Sequence, residues 1–147
     1  MARTIPVGSV SEDVKRLIET TERSFRCGVE QFREGKRIGD IGHAVQSCVE
    51  AEGFSVVRRY VGHGVGHELH EDPEVPNYGT AGRGVRLCTG MTLAIEPMVN
   101  MGRPDVREMS DGWTVKTRDH SLSAHYENTV ALTSEGVIIT TLVDRDW

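Results

Sequence analysis

His63, Glu96 and Glu127 are the residue types that suit metal chemistry, and each has its own local context: GHGVG, TLAIEP and HYENTVALT. Two carboxylates and one imidazole are hard and borderline donors, fitted to Mn, Fe, Co or Zn rather than to the all-oxygen cages that Ca prefers. Two carboxylates can also bridge a pair of divalent ions and so activate water near neutral pH, chemistry that hydrolyses peptides, esters and phosphates. Each residue has a plainer reading too. His63 between glycines could be hydrogen-bonded in a turn, with the glycines leaving the backbone free to bend and leaving room beside the ring. Glu96 is a lone carboxylate in an apolar strand, where burial costs several kcal/mol without a cation or proton to compensate it. An Arg partner, or an edge position next to Pro97, would relieve it equally well.

Other groups add to or subtract from this set. His70 could donate a hydrogen bond to a carbonyl or to a developing oxyanion, or could be a polar loop residue. HELH at 67–70 is not the HExxH of a zinc protease helix, because its second His comes one residue early and Asp72-Pro73 follows. His67 reads as a solvated loop residue, and His43 and His120 as structural. His125, two positions before Glu127, lies on the same strand face and could support it. Trp113 and Leu69 could wall an apolar pocket, and a core role for Trp113 is the alternative. Cys88 has no base beside it in sequence and does not read as a nucleophile.

Something must position these groups. Ser11 can cap a helix whose first turn carries Glu12 and Asp13. Val14, Leu17, Ile18, Thr21, Phe25, Val29 and Phe32 then recur at helical spacing along one face, with Gly35 as the stop. Ile38, Ile41, Val45 and Val49 predict a second amphipathic helix running to about Glu52 and ending at Gly53. Strand signals follow at 55–61, 92–101, 113–117, 126–133 and 136–143, with a hairpin turn at Ser134–Gly136 and another at Asp111-Gly112. The Gly-rich stretch 62–91, with Pro73 and Pro76, predicts a long irregular loop. The expected class is α+β, two amphipathic helices packed on one side of a mostly antiparallel sheet.

Composition bounds the rest. The length of 147 residues suits one domain, and the formal net charge of −5 offers no broad basic field for nucleic acid. The three cysteines are odd in number and lack CxxC spacing, which predicts neither a disulfide framework nor a zinc knuckle and suits a reducing compartment. No leader-like segment or membrane-length apolar run is present, so the expectation is a cytoplasmic protein with no membrane partner.

In order and spacing, GFSVVRRYVGHGVGHELHEDPEVPNY, GMTLAIEPMV and DGWTVKTRDHSLSAHYENTVALT resemble the bacterial, type I methionine aminopeptidases. The resemblance runs from about Val10 to Val143. It implies one half of the pita-bread fold, in which two pseudo-symmetric halves enclose a dinuclear metal site. It also implies metal ligation by His63, Glu96 and Glu127, acid/base work by Glu96, and substrate contact by His70, Leu69 and Trp113. His125 stands where a glutamine is common. The implied activity is metal-dependent release of methionine from nascent-protein N-termini whose second residue is small. The family's two metal-binding aspartates and a further histidine lie in an N-terminal half that this sequence does not contain, and Asp13, Asp40, Asp144 and Asp146 are no replacement. The chain is therefore expected to be the C-terminal half of such an enzyme, served by a complementary half or by a second copy. A catalytically impaired half-domain with a binding role, and an X-Pro peptidase relative, are the alternatives.

Overall fold

The computed structural model describes residues 1–142. Val143, at the end of the predicted last strand, lies outside the described residues, as do Asp144 and Asp146. The chain opens with a short strand β1 (Ala2–Arg3), followed by helices α1 (Glu12–Gln31) and α2 (Ile38–Glu50). Ser11 caps α1 as expected, its hydroxyl accepting from the Val14 amide at 3.4 Å. The helix stops at Gln31, earlier than Gly35, which serves the following turn with φ of 84°. Asp40 secures the start of α2, its carboxylate accepting from the Arg37 amide at 2.8 Å and the Gly82 amide at 2.9 Å. Those two amide donors hold the Asp40 carboxyl below the usual carboxylate range, the Arg37 amide first.

The strands are β2 (Ser55–Val56), β3 (Gly62–Gly64), β4 (Glu71–Val75), β5 (Thr92–Ile95), β6 (Met98–Asn100), β7 (Val106–Glu108), β8 (Val115–Thr117), β9 (Ser123–Thr133) and β10 (Gly136–Ile139). All pairings are antiparallel. The main sheet runs β2-β6-β9-β5-β3-β4, with β1 and β10 also on β9, while β7 and β8 form a separate hairpin closed by Gly112. Two expectations are corrected here. The run 55–61 is strand only at Ser55–Val56, because Arg58 and Arg59 turn outward to stack on Tyr78 and Tyr60. The stretch 62–91 is not all loop, since β3 and β4 lie within it.

The core explains the layering. Residues of β9 alternate strictly, so that Ala124, Tyr126, Val130 and Leu132 are buried toward the helices while His125, Glu127 and Thr129 face the other way. Leu93, Ile95 and Val99 join the buried side, against Phe25, Ile41 and Val49 of the helices. Phe25 and Tyr126 meet with ring centroids 5.2 Å apart. One face of the sheet is thus committed to the core, which leaves the opposite face free for chemistry.

The connection from β8 to β9 hangs on Asp119, whose carboxylate accepts from the Arg103 amide at 2.6 Å and from the Ser121 amide and hydroxyl at 3.0 and 2.7 Å. The Arg103 amide first, then Ser121, hold this carboxyl down to about 2. A folded-state value below the unfolded one means the stabilisation is present above about pH 4 and is lost as pH falls toward about 2. Asp119→Asn is accordingly expected to be less stable than the parent in denaturant at about pH 6, with the gap closing on acidification. A gap that stays constant down to about pH 2 would show that the charge contributes nothing.

Candidate metal and catalytic site

The site is built by strand register. Along β9, Ile95 pairs with Asn128 and Met98 with His125, and the single register that joins these pairs sets Glu96 directly opposite Glu127. The ladder is interrupted there because Pro97 has no amide to donate. Its carbonyl still accepts from the Tyr126 amide at 3.2 Å, and the buried Asn77 side chain donates to the Glu96 carbonyl at 3.1 Å. β5 and β6 therefore form one strand broken at the carboxylate, with Glu96 on the face away from the helices.

β3 supplies the imidazole. His63 pairs with Ala94, two residues before Glu96 on the same face, and its Nε2 lies 3.5 Å from Glu96 Oε1. His63 Nδ1 is 2.8 Å from the Gly64 carbonyl. A carbonyl accepts only, so Nδ1 donates to it and Nε2 is the nitrogen turned toward the carboxylates. The flanking glycines prove to be needed for sheet packing more than for bending. A Cβ on Gly62 would run into the Ala94 carbonyl oxygen, and one on Gly64 into the Asp72 carbonyl oxygen.

His125 completes the group from β9, with Nε2 3.7 Å from Glu96 Oε2 and without a hydrogen-bond partner. Burial holds its ring below the ordinary histidine range, against the pull of Glu127. The Glu96 and Glu127 side chains are only 16% and 22% exposed. Burial, and then the Glu127 charge, push the Glu96 carboxyl up to about 7, against the pull of the Met1 ammonium 3.7 Å from Glu127 Oε1. Like charges placed opposite each other across a ladder destabilise a sheet. This pair is a place where a cation belongs.

The donor chemistry fits a divalent metal, with an imidazole whose Nδ1 is held by a carbonyl so that Nε2 faces two carboxylates set opposite each other. The enclosure is incomplete. Among the described residues no three His, Cys, Asp or Glu side chains close around one point.

His70 lies beside His63, ring centroids 4.2 Å apart, and is exposed to the open side. Leu69 and Trp113 are 71% and 87% exposed and are not among the residues lining the cavity beside Glu96. His43, His67 and His120 are exposed. The cavity that does adjoin the carboxylate, about 380 Å³, is lined by Val57, Tyr60, Met98, Val106 and Val115, with Glu96, His125, Lys116, Thr117 and Ser123 as its polar members. Tyr60 gave no sequence signal, whereas strand alternation puts Met98 on the Glu96 face. Asn77 gave no sequence signal, since its role depends on a strand interruption remote in the chain. A larger cavity of about 680 Å³ beside the start of α2 shares no residue with the carboxylate pair.

Comparison with known proteins bears on the family and the fold. The methionine aminopeptidase of Clostridium perfringens is 56% identical over 142 residues, covering 97% of this chain and 57% of its own. Methionine aminopeptidase 1 of Bacillus subtilis is 52% identical, with the same coverage. The crystal structure of methionine aminopeptidase from Rickettsia prowazekii superposes with a TM-score of 0.93 at 46% identity, over 95% of this chain and 57% of that one. The chain thus spans little more than half the length of these relatives, and the fold is the pita-bread architecture they share. Residues 1–134 match metallopeptidase family M24, and the chain belongs to that family.

Proposed function

We propose that this chain is the C-terminal half of a methionine aminopeptidase, and that with a complementary N-terminal half it hydrolyses the bond after an N-terminal methionine when the next residue is small. The observation that carries the reading is the Glu96–Glu127 cross-strand pair beside His63, adjoining an apolar cavity in a chain 56% identical to a methionine aminopeptidase. His63, Glu96 and Glu127 would hold divalent metal, Mn, Co, Fe or Zn, with two ions per site in the completed enzyme. Such a metal supplies Lewis acidity toward water and toward the scissile carbonyl.

The chain's own residues do the remainder. Glu96 accepts the proton of the attacking water and returns it to the departing amino group. His70, on the open side of His63, donates a hydrogen bond to the oxyanion as the carbonyl becomes tetrahedral. The cavity of Val57, Tyr60, Met98, Val106 and Val115 takes an unbranched apolar side chain, while Leu69 and Trp113 fold over it when substrate and the other half are present.

The test is methionine release from a Met-Ala-Ser peptide, with added Mn or Co under reducing conditions, by this chain alone and mixed with the N-terminal segment of the Clostridium perfringens relative. Turnover in the mixture alone is the expected result. Turnover by the chain alone would mean that three donors, or a second copy, suffice. Hydrolysis of X-Pro peptides in preference to Met-Ala-Ser would overturn the substrate assignment. A chain that neither turns over in the mixture nor gains thermal stability from the metal is a half-domain with another role.

A further inference from the structure

Cys27 and Cys48 lie outside the carboxylate site. α1 and α2 pack antiparallel, with Arg23 Nη2 donating to Glu52 Oε1 at 2.7 Å and with Gly28 so close to Val45 that a Cβ there would lie 2.9 Å from Val45 Cγ2. Cys27 is one turn after Arg23 and Cys48 one turn before Glu52. The register that joins Arg23 to Glu52 therefore sets the two cysteines against each other across the helix interface. The Cys48 thiol neighbours the Cys27 thiol, and the Arg23 guanidinium adjoins the Cys48 sulfur. Both thiols are free and half-buried, within reach of a small oxidant.

We propose that Cys27 and Cys48 are a peroxide-responsive thiol pair, a modification site that closes into an intramolecular disulfide and staples α1 to α2. Cys48 is the attacking sulfur, because Arg23 faces the charge that develops on it. Burial pushes the Cys27 thiol up to about 11, with the Cys48 contact adding to it, so Cys27 keeps its proton until it reacts. In the first step the Cys48 sulfur attacks one peroxide oxygen, the O–O bond breaks, and the departing hydroxide leaves as water with the thiol proton. The product is a sulfenic acid. In the second, the Cys27 sulfur attacks the sulfenic sulfur, the S–O bond breaks, and hydroxide departs as water with the Cys27 proton. Two thiols and one peroxide give one disulfide and two waters, and a thiol reductant reverses the change by exchange. Odd cysteine number and missing CxxC spacing concealed the pair, since the partners come from separate helices.

The full chain, reduced and desalted, is treated with hydrogen peroxide, alkylated, and peptide-mapped without reduction. The expected product links Cys27 to Cys48, persists in Cys88→Ser and disappears in Cys48→Ser. The oxidised parent melts about 5–10 °C higher than the reduced one, and dithiothreitol abolishes the rise. Exposed Cys88 is the internal control for oxidant dose. The proposal is overturned if Cys88 is consumed while Cys27 and Cys48 both remain alkylatable. Links to Cys88 in place of the pair, or a Cys48 oxidised beyond sulfenic acid with no link, overturn it as well.

Discussion

Replacing Glu96 by Gln in metal-free protein, with chelator present, is expected to raise stability by about 2 kcal/mol at about pH 8 and to change it little at about pH 4. The carboxyl is raised from 4.5 to about 7 by burial first and by Glu127 second. A carboxyl raised in the fold contributes its full share of stability below the unfolded value, and that share is lost as pH rises through about 7. Each unit corresponds to about 1.4 kcal/mol, and desolvation of the introduced amide trims the gain. Divalent metal reverses the order of the two proteins. At a hundredfold excess over its Kd the ion stabilises the parent by about 2.7 kcal/mol, and a site without the Glu96 charge forfeits most of that. In the complemented enzyme the same substitution lowers methionine release by about a hundredfold or more, the usual scale of a lost acid/base group. Denaturant unfolding over a pH series, with chelator and then with Mn, reads both stability arms. A parent whose stability is flat between about pH 5 and 8, or a Gln variant that keeps the parental metal response, would remove Glu96 from the centre of the site.

Such opposed effects mark a residue chosen for chemistry over stability, and they bear on what a sequence discloses. The helices were legible because their signals are local. Ser11 with Glu12 and Asp13 announces a start, and Leu17, Thr21 and Phe25 recur at helical spacing. The alternation of β9 was legible for the same reason. What escaped depends on partners distant in the chain. GHG looked like a bend because glycine bends readily, yet Gly62 and Gly64 keep extended backbone and are small so that neighbouring strands can approach. The donors His63, Glu96 and Glu127 could be picked out by type, but their mutual placement comes from a register that joins Thr92 to Ala131 and Asn100 to Ser123 across an interrupted strand. Asn77 and the Cys27–Cys48 contact are likewise products of packing. Local sequence patterns name the groups, and the long-range register decides which of them meet.

That dependence on register makes Gly62→Ala the most damaging small substitution expected in the sheet. The added methyl would collide with the Ala94 carbonyl oxygen on β5 and lie 3.2 Å from Val75 Cβ on β4, so β3 is obstructed from both sides. Backbone atoms of a packed sheet cannot swing aside as a long side chain does, and relief requires β3 itself to move. Because His63 is the next residue and pairs with Ala94, any such movement carries the imidazole away from Glu96. A loss of about 3 kcal/mol is expected. Gly53→Ala separates this collision from the generic effect of replacing glycine. Gly53 has φ of 79° and open space at its Cβ, so it bears the left-handed backbone cost of about 1 kcal/mol and no clash. Denaturant unfolding of both variants, each with and without Mn, gives the comparison. Gly62→Ala should lose the metal-induced stabilisation as well as the larger share of stability, whereas Gly53→Ala should retain the parental metal response. Equal losses and equal metal responses would mean that β3 has slack, and that the position of His63 is not set by the backbone packing on either side of it.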